Sequence, residues 1–586
     1  MSAGGTMQES LESEFRAAIS APASVRNADA FAGERSFAAF EAVQASGMHT
    51  LSRQLLKRRN AALAVECLEA ACELDDESSE AARDLGRSYL LQGQNEAATA
   101  PLRRARQIRP GDFKTSWLLA GALYGTGRLD KAVQLWREFV QIVPDEPRGW
   151  RQLADLQAHA NDPSGAIASY RRLLELEPGN VRALGSIADL YERLNRLEDA
   201  QGYAAKGLAV ATGDPLSVYV LAKCERRAGR VAEALAVLDQ VEEPVADRTL
   251  ARFLSFERAN LYDAAGRYDA ALNQFEHANA IEPEDARGRF RKQRYVAVVE
   301  RFKRRFTDEW VAGWSRTPEL SERESPVFVV GFPRSGTTLL GHILDGHPQL
   351  RTLHEELTLD EVERWIIQRP GGNPEALAEL TSAEIGGLRQ LYWNKALQSG
   401  ALASGELLVD KMPLNIVQTG LILRLFPRAR FVFLARHPCD ACLSCWMQNF
   451  KPSDAMNNFA TLRETVSLYV HVMQLWRQFR EVLPHACHVI RYEDIVVDVG
   501  TSIRELLKFL ELPWDDGVLE HVSNSRQSSF IRTPSYRQVI QPIYGSARNR
   551  WRNYSREFEP LLEQLQPFIE LFGYEESFSA DCCARF

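Results

Sequence analysis

The chain lacks long apolar runs, a disulfide-like cysteine pattern and a large excess of either charge. Across its 586 residues no stretch approaches the roughly 18 uncharged apolar residues that a membrane span needs. The longest, such as Phe431–Ala435, are strand-sized, so no transmembrane segment is predicted. The N-terminal stretch alternates Glu and Arg with small residues and lacks the hydrophobic segment of a secretory signal. The nine cysteines are odd in number and scattered, and a chain of this length needs no disulfide staples, so reduced thiols in a cytoplasmic setting are expected. Cys439, Cys442 and Cys445 are spaced like metal ligands, but no fourth thiolate or paired histidine sits at ligand spacing, and core packing is predicted. Lys and Arg number 70 against 78 Asp and Glu, a formal charge of −8, which predicts no nucleic-acid partner.

What is present is an ordinary globular composition, 45% apolar and 25% charged, with length for several domains. The first half is periodic. Small residues recur every 34 residues at Ala98, Ala132, Ala166, Ala200 and Ala234, and again at Gly86, Ala120, Ala154, Ala188 and Ala222. Pro110, Pro144 and Pro178 keep the same period, and after an insertion of three residues it resumes at Ala271. Each unit reads as two antiparallel helices, for instance Ser116–Tyr124 and Leu129–Ile142, joined by a turn such as Gly125-Thr126-Gly127. Small side chains let neighbouring helices approach, and the proline stops the second helix. The pattern resembles the tetratricopeptide repeat, over residues 45–286, behind an N-terminal extension or capping helix at 1–44. The resemblance implies a surface that binds a peptide or protein; a spacer or dimerisation arm is the alternative, and a homodimer is left open. Residues 287–324 form a basic connection, with Tyr295, Val298, Val299, Phe302 and Phe306 at helical spacing among the charges. A solvated connecting helix is expected there, rather than one lying on an anionic membrane.

Residues 325–586 carry the chemistry. Val327-Phe328-Val329-Val330 is a continuous apolar run, the pattern of a buried parallel strand. It leads into Gly331-Phe332-Pro333-Arg334-Ser335-Gly336-Thr337-Thr338 and a helical stretch, Leu339–Leu344. A strand, a glycine-containing loop and a helix start together form a phosphate cradle. The spacing follows that of a P-loop except that Thr337 stands where nucleoside-triphosphate enzymes carry lysine, so Mg-ATP chemistry fits poorly. A second apolar run, Arg430–Ala435, ends in Arg436-His437-Pro438 and a helix carrying Ser444. Arg436 at the strand end and Ser444 two helical turns on can converge on one more phosphate.

Pro333-Arg334-Ser335-Gly336-Thr337-Thr338-Leu339 and Arg436-His437-Pro438…Ser444 resemble the two phosphate loops of sulfotransferases that use 3′-phosphoadenosine 5′-phosphosulfate (PAPS). The resemblance implies a multidomain fold, an α-helical repeat solenoid followed by an α/β, P-loop-like sulfotransferase domain with a central parallel sheet. It implies that Arg334, Ser335, Gly336, Thr337 and Thr338 bind the 5′ side of the donor, and Arg436 and Ser444 its 3′-phosphate. Tyr492, in the strand-like Val489–Asp494, corresponds to a cofactor-contacting tyrosine. Within the family the likeness is closest to the tyrosylprotein sulfotransferases: Leu344-Asp345-Gly346-His347-Pro348, Leu353-His354-Glu355-Glu356, Asp410-Lys411-Met412-Pro413 and Gln538-Val539-Ile540-Gln541-Pro542 match their segments. The likeness implies Glu355 as catalytic base, Lys411 and Arg334 as the cations of the transition state, and Ser528 or Ser529 beside the sulfuryl group. No metal is implied. His347, His354 and His437 are expected in structural or capping roles. Leu357 replaces an arginine and Gln541 a lysine of that branch, which weakens the case for a strongly acidic tyrosine peptide. The implied activity is sulfuryl transfer to an acceptor hydroxyl, on tyrosine of a protein recruited by the repeats, with a carbohydrate or small molecule as the alternative. A repeat scaffold bearing an inactive nucleotide domain is a further alternative.

Overall fold

The repeat period is visible directly in where the helices start. First helices begin at Ser79, Phe113, Pro147, Val181 and Pro215, and their partners at Asn95, Leu129, Pro163, Leu197 and Val231. Each series therefore advances by the 34 residues read from the sequence. This computed structural model describes residues 34–57, 61–282, 290–315, 325–398, 400–403, 405–520 and 548–574. Ser528, Ser529 and the stretch 538–542 lie outside them.

Local chemistry explains the regularity. Ser78, Asp112, Asp162 and Asn180 cap helices by accepting backbone N–H groups that have no intrahelical acceptor. The turn between paired helices uses a left-handed residue at one fixed place in the repeat: Gly93, Gly127, Asn161, Asn195 and Gly229. Asparagine tolerates that conformation better than other side chains, which is why the turn survives where glycine is missing. The small residues do what their spacing suggested. Ala98, Ala132, Ala166, Ala200 and Ala234 are all fully buried, and a Cβ on Gly86 would stand 2.3 Å from Leu102 Cγ. The inserted residues lengthen one first helix, Arg248–Ala264, to 17 residues from the usual 13.

The chain divides into two compact units, one ending at Val220 and the other starting at Leu221. The second contains a five-stranded, all-parallel sheet: β1 Val327–Gly331, β2 Leu350–His354, β3 Leu407–Lys411, β4 Arg430–Ala435 and β5 Cys487–Arg491. The order is β2-β3-β1-β4-β5. The chain adds strands first on one side of β1 and then on the other, so the sheet's switch point lies at the carboxyl ends of β1 and β4, where such sheets form a ligand crevice. β1, β3 and β4 are buried throughout, as continuous apolar runs covered on both faces require. Alternation along β1 serves two cores: Val327 and Val329 face the helices Thr337–Leu344 and Val499–Phe509, while Phe328 and Val330 join the larger cluster around Leu462–Val482.

The same unit takes in the last repeat helices. Phe256, Phe275 and Ala278 belong to the larger core, Asn279 Nδ2 donates to Trp446 O at 3.0 Å, and Asp263 accepts from Arg550 at 2.6 Å and Tyr554 at 2.7 Å. The basic connection departs from the expected solvated helix. In Lys292–Arg305, Val299 and Phe302 are buried, as is Phe306 beyond it, and Phe306 lies edge-on to Phe479 at 4.9 Å. Its charges bind the domain too, Arg301 to Glu375 and Lys292 to Glu464. Apolar positions spaced among cations bury one face just as a neutral amphipathic helix does, because long basic side chains reach outward to carboxylates.

Candidate active site

The ends of all five strands carry predicted residues: Arg334 follows β1, Glu355 β2, Arg436 β4 and Tyr492 β5, while Lys411 ends β3. β1 ends at Gly331, where a Cβ would meet Leu434 O of β4 at 2.7 Å. Arg334, three residues on, holds a left-handed backbone at φ 68°. Its Nε donates to Ser444 Oγ at 3.1 Å, and its carbonyl accepts from Arg436 at 2.8 Å. The two predicted phosphate loops thus meet directly. Gly336 is left-handed at φ 99°, and a Cβ there would stand 2.5 Å from Tyr492 Cδ2; only glycine fits both the turn and the neighbouring ring. Arg436 lies over that ring at 4.9 Å. Ser335, Thr337 and Thr338 are buried in the loop and at the start of Thr337–Leu344.

Tyr492 does not continue a strand. β5 stops at Arg491 and Tyr492 opens the helix Tyr492–Val497, whose first turn carries Glu493 and Asp494. Acids there favour a helix start, a local signal that the apolar Val489-Ile490 masked.

Lys411 ends β3, fully buried, and its Nζ donates to Glu355 Oε1 at 2.9 Å. Burial pulls the Lys411 ammonium below the ordinary lysine range, and the Glu355 carboxylate opposes that pull. Glu355 follows β2 with φ 57°, and its N–H donates to Lys411 O at 2.9 Å. A long acidic side chain in the left-handed region costs about 1 kcal/mol or more, so the fold holds Glu355 against its local preference. The carboxylate is about a third exposed while the lysine is sealed, which leaves the acid as the accessible partner.

Several residues that the sequence did not single out support this pair and the second loop. Asp410, fully buried beside Lys411, accepts from Thr358 at 2.6 Å and Tyr392 at 2.9 Å; burial raises its pKa to about 6 despite those bonds. Asp440 accepts from the N–H groups of Asn549 at 2.7 Å and Trp551 at 2.9 Å. That contact lays Trp551 flat on His437, rings 5.5 Å apart. Burial, with Arg552 and Arg436 nearby, lowers the His437 pKa to about 4, and neither of its ring nitrogens has a hydrogen-bond partner among the described residues. Burial of a carboxylate among distant segments has no short-range signature, so only the fold exposes these roles.

Of the other histidines, His347 is structural: its Nε2 lies 2.9 Å from Pro513 O, and its Nδ1 accepts from Gln349 N. His354 instead reaches Asp345. Cys439, Cys442 and Cys445 are fully buried. Cys445 Sγ contacts Pro333 O at 3.2 Å, and burial raises the Cys442 and Cys445 thiols, as packing residues require. No described helix is long and apolar enough to cross a membrane.

Comparison with known proteins adds family evidence. The profile of the Sulfotransferase family matches residues 326–516, and tetratricopeptide repeat profiles match 49–113 and 157–217. An uncharacterized protein of Aquifex aeolicus is 26% identical over 437 residues, covering 73% of this chain and 56% of that protein. A protein-tyrosine sulfotransferase of Drosophila melanogaster is 26% identical over 273 residues, covering 43% of this chain and 52% of its own. Protein-tyrosine sulfotransferase 1 of Danio rerio is 27% identical, over 44% of this chain and 75% of that protein. The chain thus spans about half the length of the first two relatives. Among solved structures, a tetratricopeptide repeat protein from Parabacteroides merdae is similar at 16% identity, covering 41% of this chain and 94% of its own, with a TM-score of 0.34.

Proposed function

We propose that this chain, which joins tetratricopeptide repeats to a sulfotransferase-family domain, transfers a sulfuryl group from PAPS to an acceptor hydroxyl. The acceptor is tyrosine of a polypeptide recruited by the repeats. The single observation that carries the reading is the meeting of Arg334, Ser444 and Arg436 at the switch point, with the Lys411–Glu355 pair at the end of β3, the strand beside β1.

The residues suit an anionic donor. Gly336 supplies no capping side chain to Thr337–Leu344, so that helix start offers its N–H groups and macrodipole to a phosphate. Arg334, with Ser335, Gly336, Thr337 and Thr338, would hold the 5′ side. Arg436 and Ser444 would hold the 3′-phosphate, with the His437 ring and Tyr492 beside them. In transfer, the acceptor oxygen bonds to sulfur as the bond from sulfur to the bridging phosphate oxygen breaks. The electron pair of that bond stays on the phosphate, where Lys411 and Arg334 stabilise it. Glu355 takes the acceptor proton as the new bond forms. The relatives named as protein-tyrosine sulfotransferases support tyrosine over a sugar or small molecule.

Calorimetry with adenosine 3′,5′-bisphosphate tests the site: micromolar or tighter binding is expected, weakened at least about tenfold by Arg334→Ala or Ser444→Ala, since each removes a charge-assisted hydrogen bond. No binding, or binding unchanged in both variants, would leave a scaffold with an inactive domain. Incubation with donor and a tyrosine peptide should add one sulfuryl group by mass.

A further inference from the structure

Beside the Lys411–Glu355 pair lies a second cluster that sulfuryl transfer does not use. His342 sits in the last turn of Thr337–Leu344, Asp345 caps that helix, and His354 ends β2. Asp345 Oδ2 stands 2.8 Å from His354 Nε2 and 3.3 Å from His342 Nδ1. The three ligand atoms lie within 4.8 Å of one another, and this is the one such cluster of three or more His, Cys, Asp or Glu side chains among the described residues.

The cluster is under-satisfied in a way that a simple ion pair does not explain. His342 is 2% exposed, yet neither of its ring nitrogens has a hydrogen-bond partner among the described residues. Its Nδ1 comes close to Asp345 without the geometry of a hydrogen bond. Nδ1 of His354 likewise has no hydrogen-bond partner among the described residues. The two rings lie nearly parallel, 4.6 Å apart, over Gly341, where a Cβ would stand 3.1 Å from His354 Cε1. Asp345 keeps about a quarter of its side chain at the surface, which gives an entry path. Lys411, the cation of the adjoining pair, is already neutralised by Glu355.

We propose that His342 Nδ1, Asp345 Oδ2 and His354 Nε2 bind one divalent transition-metal ion of the zinc type, with water completing the shell. Two imidazoles and one carboxylate suit a borderline ion rather than calcium or magnesium, which prefer all-oxygen shells. Ligand atoms about 2.0 Å from a tetrahedral ion stand about 3.3 Å apart. The His342–Asp345 separation already has that value, and the His354–Asp345 contact opens by about half an ångström to reach it. A bound ion would fix His354, and with it the strand end from which Glu355 projects.

Ion binding is read without turnover, so the test stands apart from the activity proposed above. Chelator-stripped full-length protein, titrated with Zn²⁺ alone against a chromophoric competitor, should take up one ion per chain at this site. Asp345→Asn and His342→Gln should each weaken uptake at least about tenfold, since each removes a ligand. Co²⁺ should give the intense visible absorption of a four-coordinate site. No saturable uptake, or uptake that both variants leave unchanged, overturns the site. If a variant fails to fold, the parent's Co²⁺ spectrum decides, and a weak six-coordinate spectrum counts against the proposal.

Discussion

Ala98, Ala132, Ala166, Ala200 and Ala234 are five copies of one packing solution, all buried at equivalent places. Lys411, Asp410, Asp440 and Arg436 are buried too, but each once and each with different partners. In the array a residue's role follows from its place in the period, and any unit illustrates the rest. In the sheet domain a role follows from which strand end faces which, and no second copy exists to reveal it. Burying a charge is costly unless it is paired; the sheet domain places several such charges where chemistry is proposed, while the array pairs its own, Asp84 with His49 and Arg53 and Glu257 with Arg226, between helices.

The largest expected effect separates the two regions most sharply. Glu355→Gln should lower turnover ~10²–10⁴-fold while nucleotide affinity holds, the range for removing a general base. Lys411→Met should fall comparably, and the double variant should lose less than the product of the two, because the partners share one ion pair. Transfer of labelled sulfuryl groups measures all three. Full activity in Glu355→Gln would move the base to Glu356 or His354. No single substitution in the array should approach this loss on a free phenol acceptor.

Acids buried in each region should respond to pH with opposite signs. Burial raises folded Asp410 to about 6 from 3.8. A native state that holds its proton more tightly gains stability below the unfolded value and loses it as pH rises from about 4 through about 6. In the array, hydrogen bonds from His49 and Arg53 outweigh burial and bring Asp84 down to about 2. That contribution is present above about pH 4 and is lost as pH falls toward 2. Denaturation against pH should show Asp410→Asn gaining on the parent by about 2–3 kcal/mol between pH 4 and 7. Asp84→Asn should close its deficit, also about 2 kcal/mol, as pH drops from 4 to 2. Parallel curves for either variant would contradict the assignment.

The smallest effect tests the repetition itself. Gly127→Ala should cost about 1 kcal/mol, because alanine is strained at φ 76°. Gly127→Asn should cost less, since Asn161 and Asn195 already occupy the same turn. Equal losses would mean that the turn is not interchangeable between units. Thermal denaturation reads both.

Much of this was legible beforehand where information is local or periodic. The alanine series, the helix Leu129–Ile142 and the strand Arg430–Ala435 are found where the spacing predicted them. Arg334 and Arg436 were legible as loop residues and Ser444 as part of the helix that follows, and the structure adds that Arg334 touches both of the others. The basic segment after the array was misread as solvated, since its charges are as visible in sequence as its buried Phe302 and Phe306 are not. Tyr492 was misplaced by the apolar residues ahead of it.

Asp410, Asp440 and the His342–Asp345–His354 cluster carried no legible role in the sequence, because a partner that completes each comes from another element: Tyr392 from a helix 18 residues away, Trp551 from 111 residues away, and His354 from a strand nine residues past Asp345. The amino-acid order alone determined the repeat, the strands and the glycines that turn between them, since backbone propensity and periodic burial act over a few residues. Tertiary structure alone decided which charges meet out of water, since that depends on strand order, and parallel strands join segments that the chain keeps far apart.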